Sequence, residues 1–499
     1  MKDDKYRRNY DIIIYGVFLV FYLWMAAQIP YTHDDWDWGT SSGIEQLLHA
    51  TLNARYAGNF FAVVMTRFPL LKIMIMGVGY FLIPYGLAVY AVWDLAEQKR
   101  EAKLCAFLLC NIMLFLLPRE IWRQTYSWVA GFANYSVSAV FLLVWIREIR
   151  LAFRPESAKS NAGIWELLMC FAGSFLVQMF LENLAIYTVL LGLFLCGVHV
   201  CRNKKIPLKS GLMLLGAVLG LVVMFSSRIY GSLWSTGEAV GGYRSLSVGT
   251  QYSLTTTIYM LLSQAAVLAP LIFEKNVIQC LVVLGLLSSL LLQKERKTLW
   301  TYGFCTVNGL FGLYVVYGYC KGDAIAELGG LVPLAVNAAF FLTVAVETVY
   351  LMHGKKFALG VALTAWTSVP GVILPLVFTL ETGERLFLTS NVFFILFAAL
   401  LLREQLDTCN NKKTAGIFLV ISLLLMCFYG YIYHGIGQCK RQRDALMVQA
   451  VERNAVSLTL PNYPHGDYLW GPNPNGEKRQ AFFREFYHLP EEIDIYIQQ

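Results

Sequence analysis

An acidic cluster follows the first long apolar run of the chain and reads Tyr31-Thr-His33-Asp34-Asp35-Trp36-Asp37-Trp38. Adjacent carboxylates raise one another's pKa, so one of them is suited to take a proton from a sugar hydroxyl as a general base. Carboxylate oxygens also bind divalent cations, and tryptophans alone are typical anchors at a membrane interface. The cluster predicts Asp34 and Asp35 as catalytic residues. The flanking candidates for substrate binding are His33, Trp36 and Asp37.

Arginines between the apolar runs are candidates for binding a phosphate, because the guanidinium group can donate two parallel hydrogen bonds. Arg123 and Tyr126 lie between the third and fourth apolar runs, at a predicted membrane surface. The alternative for this pair is contact with lipid headgroups. Three further arginines are candidates for the same role or ordinary surface residues: Arg228, Arg244 and Arg385.

Two more polar positions interrupt apolar sequence. Glu182 lies within a long apolar stretch, where a charge costs about 2.5–3.5 kcal/mol on insertion scales for Asp and therefore indicates a purpose. The alternative is a hairpin turn made polar by Glu182 and Asn183. Asn134, which follows Gly131, is either a sugar contact or a polar link between helices.

The composition predicts an all-α polytopic membrane protein. Hydrophobic residues make up 57% of the 499 residues and charged residues 15%, against roughly 25% charged in soluble domains. Apolar runs of about 20 residues recur along the chain, which is the length that a membrane-spanning helix needs. The net charge of +7 is scattered between these runs. That pattern is typical of topology signals and gives no support to nucleic-acid binding.

The apolar runs predict about thirteen transmembrane helices in the plasma (inner) membrane, with the N-terminus on the cytoplasmic side. The predicted crossings lie near 11–29, 70–92, 104–118, 131–149, 164–181, 184–200, 210–226, 277–292, 299–319, 331–351, 357–378, 387–402 and 414–433.

The segment 253–273 decides the topology of the second half. If this segment crosses, the basic residues of the next loops fall outside. If it lies on or dips into the outer face, they return to the cytoplasm, as the positive-inside rule favours. These residues are Lys294, Arg296, Lys297, Lys355, Lys356, Arg403, Lys412 and Lys413. We therefore expect a non-crossing element and an extracytoplasmic C-terminus.

Three segments are then large enough to act outside the membrane. Residues 30–69 carry apolar side chains at helical spacing between Ile44 and Tyr56, which predicts an interfacial helix. Residues 227–252 are rich in Gly and Ser. Residues 434–499 form a polar C-terminal extension, so we expect a transmembrane domain over 1–433 and a small extracytoplasmic domain after it.

An acidic pair just beyond the first span resembles the GT-C superfamily of membrane glycosyltransferases, and the ordered motifs resemble a group of bacterial polytopic proteins of undefined substrate. The likeness covers most of the chain, although only short motifs carry it. They are His33-Asp34-Asp35-Trp36-x-Trp38, Asn53-x-Arg55-Tyr56-x-Gly58-Asn59, Arg123-x-x-Tyr126-x-Trp128-x-x-Gly131-x-x-Asn134-Tyr135, Phe180-Leu-Glu182-Asn183 and Phe483-x-x-Phe486-Tyr487. The resemblance adds Arg55 and Tyr56 to the candidate binding residues.

The resemblance implies transfer of a sugar, with inversion, from a polyprenyl-phosphate-linked donor to an extracytoplasmic envelope glycan. Asp34 or Asp35 would accept the proton of the attacking hydroxyl. Some members of the superfamily use a divalent cation such as Mg²⁺ or Mn²⁺ and others do not, so the cofactor stays open. The alternatives are a flippase or transporter for a lipid-linked glycan and a polysaccharide polymerase. Transporters usually keep their charged sites near the bilayer midplane, whereas the acidic residues here collect at one face.

Overall fold

The chain is an all-α polytopic protein, as the composition predicts. A computed structural model describes residues 2–92, 100–154, 163–236, 245, 253–321, 331–379, 382–406 and 411–498. About 81% of the structure is helical. Among the described residues, eleven helices are long and apolar enough to cross a membrane, or twelve if one bent pair counts as a single span.

The first half of the chain contains a membrane bundle interrupted by short helices. Its helices are α1 (Lys2–Gln28), α2 (Asp35–Gly39), α3 (Ser41–His49), α4 (Tyr56–Arg67), α5 (Pro69–Val92), α6 (Arg100–Phe115), α7 (Arg119–Thr125), α8 (Val129–Gly131), α9 (Val137–Phe153), α10 (Ile164–Val177), α11 (Glu182–Asn203), α12 (Leu208–Phe225) and α13 (Arg228–Thr236). A π-helical turn, Phe132–Ser136, joins α8 to α9, so that Val129–Phe153 forms one span.

The second half adds seven apolar helices and a small folded tail. Its helices are α14 (Leu254–Phe273), α15 (Val277–Leu292), α16 (Leu299–Lys321), α17 (Leu331–Leu351), α18 (Lys356–Gly371), α19 (Leu388–Gln405), α20 (Asn411–Glu452) and α21 (Glu477–Tyr487). Short 3₁₀ turns cover Leu374–Phe378, Glu384–Phe387 and Gly466–Tyr468, and the strands are β1 (Ser457–Leu460) and β2 (Asp494–Ile497).

Three predicted crossings differ from simple spans. The crossing near 104–118 is a broken pair, because α6 and α7 meet at 95°. The crossings near 164–181 and 277–292 are the shorter apolar helices α10 and α15. The expected non-crossing segment 253–273 is the single 20-residue helix α14, which is long and apolar enough to cross. Its placement therefore depends on its neighbours and not on its length.

The predicted amphipathic helix of the first loop is divided in two. Helix α3 ends at His49, because the next residue, Ala50, has a φ of +48° that the helix cannot continue through, and α4 begins only at Tyr56. Ile44 and Leu48 on α3 remain exposed, as expected of a helix with one face toward lipid. The spacing identified an amphipathic helix but extended it past its true end.

The tail, residues 453–498, packs on the loop that follows α1. Helix α20 continues past residue 434 to Glu452, so the expected domain boundary lies inside a helix. Beyond it, β1 and β2 form a parallel pair. Trp36 of α2 packs edge-on against Phe483 of α21, with ring centroids 5.1 Å apart. We call the end of the bundle where α2 meets the tail the tail side.

Candidate functional site

Asp35 is buried and held by backbone N–H groups at the start of the span Val129–Phe153. Its Oδ1 accepts from Ala130 N at 2.7 Å, and its Oδ2 accepts from Thr32 N at 2.8 Å and Val129 N at 3.4 Å. Burial, and then the charge of Asp34, raise the pKa of Asp35, while the three N–H groups oppose the rise. Both oxygens are occupied by main-chain donors, so Asp35 fixes the first loop against the span.

Asp34 has a different environment from its neighbour. Its side chain is 38% exposed. Trp128 Nε1 donates to Oδ1 of Asp34 at 2.8 Å, and His33 Nδ1 lies 3.5 Å from the same oxygen. Both contacts are made to Oδ1, so Oδ2 is left to other partners. Of the two predicted catalytic carboxylates, Asp34 is the one that an acceptor hydroxyl can approach.

The tail supplies the other side of His33. Main-chain N of His33 donates to Gly471 O at 3.0 Å, and Arg479 approaches Nε2 of His33 at 2.8 Å. The His33 ring packs against Trp128 and Trp470, at centroid distances of 5.5 and 5.8 Å. A side chain at position 471 would collide with the imidazole, since its Cβ would lie 2.7 Å from Cδ2 of His33.

Two predicted arginines lie beside this aromatic group. The Arg385 guanidinium is 5.8 Å from the Trp128 ring centroid and donates to Tyr135 Oη at 2.9 Å. The Arg123 guanidinium is 5.1 Å from the Trp470 ring and pairs with Glu120. Arg385 is thus one residue removed from Asp34, through Trp128, and Arg123 reaches the aromatic group through Trp470.

Glu182 and Arg55 form a buried ion pair next to these arginines. Arg55 donates through Nε and NH2 to the two carboxylate oxygens, at 3.1 and 2.7 Å. Tyr230 Oη adds a 2.6 Å hydrogen bond to Glu182, and Arg55 NH1 reaches Tyr135 Oη at 3.3 Å. Glu182 is the first residue of α11, directly after the turn from α10. The costly charge is thus neutralised, and the turn considered in the sequence analysis is also present.

Three predicted binding residues have structural positions instead. Trp36 is buried against the tail and donates from Nε1 to Tyr31 O. Asp37 accepts from Gln46 of α3 at 2.8 Å. Tyr126 is buried between Trp122 and Tyr80, with ring centroids 4.8 and 5.2 Å away. Trp36 and Tyr126 are buried and Asp37 is half-buried, so their contacts pack the residues around the site.

Three more predictions have separate outcomes. Asn134 donates to Ala130 O within its own span and abuts Gly58 of α4 so closely that a Cβ there would overlap Oδ1, so it contributes to helix packing. Arg228 is exposed at the start of α13, and no described contact joins it to the other candidates. Arg244 lies outside the described residues.

Tyr56 lines an apolar cavity of about 480 Å³ that adjoins the Arg55–Glu182 pair. The cavity lies between α4, α9, α10 and the turn before α11. Its other lining residues are Ala57, Phe60, Phe61, Phe141, Phe175, Leu176, Met179, Phe180 and Val223. Nearly all of its wall is hydrocarbon, which suits an aliphatic chain better than a sugar.

Several site residues were absent from the prediction. Trp128 and Tyr135 stood inside a motif without an assigned role, although an indole and a phenol that can hydrogen-bond are suited to a polar site. Trp470 and Arg479 come from the tail, where no local spacing connects them to His33.

A second polar cluster, which the sequence analysis missed, lies toward the opposite end of the same span. Lys209 Nζ is 3.0 Å from Glu148 Oε2, and His199 Nε2 is 3.7 Å from Oε1. Ser210 donates to Glu148 at 2.5 Å, and Arg147 pairs with Glu166 at 2.7 Å. Acids and bases here neutralise one another and join four helices.

Metal-binding geometry is absent from the part of the chain that the structure describes, where no group of three or more His, Cys, Asp or Glu side chains could hold an ion. The structure therefore adds no support for the divalent cation. Comparison with protein-family models, with curated proteins and with solved structures yields no match for this chain.

Proposed function

We propose that the chain is a membrane glycosyltransferase that moves a sugar from a polyprenyl-phosphate-linked donor to an extracytoplasmic envelope glycan with inversion. The proposal rests on the GT-C resemblance of the motifs and on the geometry of the residues that carry them. The observation that carries it furthest is the partly exposed carboxylate of Asp34 between His33 and Trp128, with Arg385 against the Trp128 ring.

Asp34 is the general base in this proposal. Its Oδ2 takes the proton of the acceptor hydroxyl while the hydroxyl oxygen forms the new bond to the anomeric carbon. The bond from that carbon to the phosphate oxygen breaks, and the lipid phosphate leaves with the bonding electron pair. A single displacement needs one base, so Asp35 is free to serve as the anchor of the loop.

Arg385 and Arg123 bind the phosphate of the donor. Guanidinium groups form charge-assisted hydrogen bonds to phosphate oxygens. Arg385 lies against Trp128, the partner of Asp34, and Arg123 lies against Trp470, which contacts His33. The same charges stabilise the leaving phosphate as its negative charge develops, which is an interaction that accelerates the reaction itself.

The apolar cavity beside Tyr56 holds part of the polyprenyl chain. It begins one residue from Arg55 and includes Phe180, two residues before Glu182. A chain of isoprene units offers only hydrocarbon surface, which matches this wall. The headgroup would then lie toward the arginines and the hydrocarbon toward the bilayer.

The contacts between helix ends support the thirteen-crossing topology. Helix α12 leads into α13, whose Tyr230 bonds Glu182 near the tail side. Helix α15 begins near the same side, because Gln279 donates to Met113 O and Leu116 O at the end of α6. A segment that starts and ends on one side crosses an even number of times. Among the described residues between these two points, α14 is the one helix long enough to cross, which favours an α14 that dips into or lies on that face.

Reporter fusions test the topology. Fusions after Lys297 and Lys413 are expected to report the cytoplasm, and a fusion near Gln499 the outside. Because the tail packs on the loop after α1, both lie on one face and the number of crossings is odd. A cytoplasmic signal near Gln499 with an extracytoplasmic N-terminus would reverse the proposed orientation and remove the site from the outside.

Glycan analysis of the host envelope, with and without the gene, tests the activity. Loss of one sugar branch, restored by the wild-type gene and not by Asp34→Asn at equal protein level, is the expected result. Loss of the entire polymer would instead favour the flippase or polymerase. Restoration of the branch by Asp34→Asn would overturn the catalytic assignment.

A further inference from the structure

We propose that Arg479 of the tail fixes the proton of His33 on Nδ1 and thereby orients the base Asp34. The inference rests on the proposed function for the identity of the base, whereas the state of the imidazole can be measured without it. Arg479 is a positioning residue in this account, because it acts on Asp34 only through His33.

The proton position follows from the donors available. A guanidinium group has five N–H donors and no acceptor, so the 2.8 Å contact between Arg479 NH2 and His33 Nε2 requires a lone pair on Nε2. A neutral imidazole carries its single proton on the other nitrogen. His33 is therefore neutral and protonated at Nδ1 while the tail is docked.

Nδ1 is the nitrogen that faces the base. It lies 3.5 Å from Oδ1 of Asp34 and has no hydrogen-bond partner among the described residues. Contacts of this kind are often long without substrate and shorten in the reacting complex. When this contact shortens, Nδ1 joins Trp128 Nε1 as a second donor to Oδ1, and Oδ2 is left for the acceptor hydroxyl.

The backbone keeps the imidazole between its two partners. His33 has a φ of +57°, a conformation that non-glycine residues adopt uncommonly. Its main-chain N–H donates to Gly471 O of the tail. Trp128 and Trp470 contact the ring from two directions. The tail therefore determines both the orientation of His33 and its tautomer.

Nitrogen-15 NMR of the full-length protein, labelled at histidine and purified in detergent, measures the tautomer. The His33 signals are identified by their loss in His33→Asn. We expect Nδ1 to carry the proton in the wild type, and the Nε2-protonated form to increase in Arg479→Ala. Protonation of Nε2 in the wild type would overturn the proposal, whatever the protein transfers. The expected tautomer in a protein that transfers no sugar would instead contradict the proposed function alone.

Substitutions test whether the tautomer matters for transfer. Arg479→Ala is expected to lower kcat about tenfold, the lower end of what orienting partners contribute, with little change in KM for the donor. Arg479→Lys retains a donor and should recover much of the loss. Lys478→Ala is the matched control, because Lys478 is the exposed neighbour on α21, and it should leave kcat unchanged.

A double-mutant cycle separates positioning from a merely structural role. His33→Asn keeps an N–H near the position of Nδ1, and Asn tolerates a positive φ, so it should retain more activity than His33→Gln. Arg479→Ala should then have little further effect in the His33→Asn background. An equal loss from Arg479→Ala in both backgrounds would show that Arg479 does not act through His33.

Discussion

The two ends of the span Val129–Phe153 hold carboxylates in opposite ways. On the tail side, Asp34 is partly exposed, and Arg385 lies against its hydrogen-bond partner Trp128. At the other end, Glu148 is buried among Lys209, His199 and Ser210. Buried charges are tolerated when they are paired. The difference indicates that the Glu148 cluster joins helices, whereas the cluster around Asp34 is open to solvent.

The largest expected effect is that of Asp34→Asn. The amide keeps an oxygen for Trp128 but cannot accept the proton, so transfer should fall by at least the roughly 10²-fold that a general base contributes. Donor binding and thermal stability should stay close to wild type, because the lost interaction belongs to the transition state. Near-normal transfer in the purified variant would contradict the assignment of the exposed Asp34 carboxylate as the general base.

Arg385→Ala tests the proposed binding of the donor phosphate near Asp34. A charge-assisted hydrogen bond is worth about 1.5–3 kcal/mol, so use of the phosphate-linked donor should fall tenfold or more. Arg228→Ala is the control, since Arg228 is exposed and outside the cluster. Equal kcat/KM values for the two variants would contradict a phosphate role for Arg385.

Asp35→Asn distinguishes the two neighbouring carboxylates. Its amide nitrogen would face a backbone N–H where an oxygen now accepts, and an unsatisfied buried donor costs about 1–3 kcal/mol. We expect a lower unfolding temperature and less protein in the membrane, with transfer per folded molecule reduced less than in Asp34→Asn. Wild-type stability combined with complete loss of transfer would instead identify Asp35 as the base.

Glu148→Gln sharpens the comparison from the closed end. Polar contacts between membrane helices average about 0.6 kcal/mol and reach about 1.7 kcal/mol, so a modest loss of thermal stability is expected. Transfer per folded molecule should not change, because the cluster lies at the far end of the span. A selective loss of kcat at normal stability would instead indicate that the Glu148 cluster takes part in the reaction.

The sequence predicted the helices and the neighbourhood of the site better than the roles within it. Hydropathy locates the membrane-spanning helices because about 20 residues of each helix contribute to the same signal. Arg385 and His33 were chosen for their chemistry, and both contact Trp128. The contrast between Asp34 and Asp35 could not be foreseen, because it depends on which carboxylate meets the start of a helix almost a hundred residues away.

Two other differences have the same origin. Tyr126 has the chemistry of a binding residue, but its neighbours Trp122 and Tyr80 enclose it. Trp470 and Arg479 reach His33 only because the tail folds back on the loop after α1. Local sequence patterns predict the type of a side chain and the helix that carries it. The packing of distant segments decides which side chains come into contact.

Helix α20 connects the membrane bundle to the tail without a break. Its 42 residues extend roughly 63 Å at 1.5 Å per residue, about twice the thickness of the hydrocarbon core. Its membrane part and its outer part thus share a single helical phase. One residue inserted after His434 would rotate everything beyond it by about 100° and raise it by about 1.5 Å. The length of this one helix therefore sets how far from the lipid surface Arg479 contacts His33.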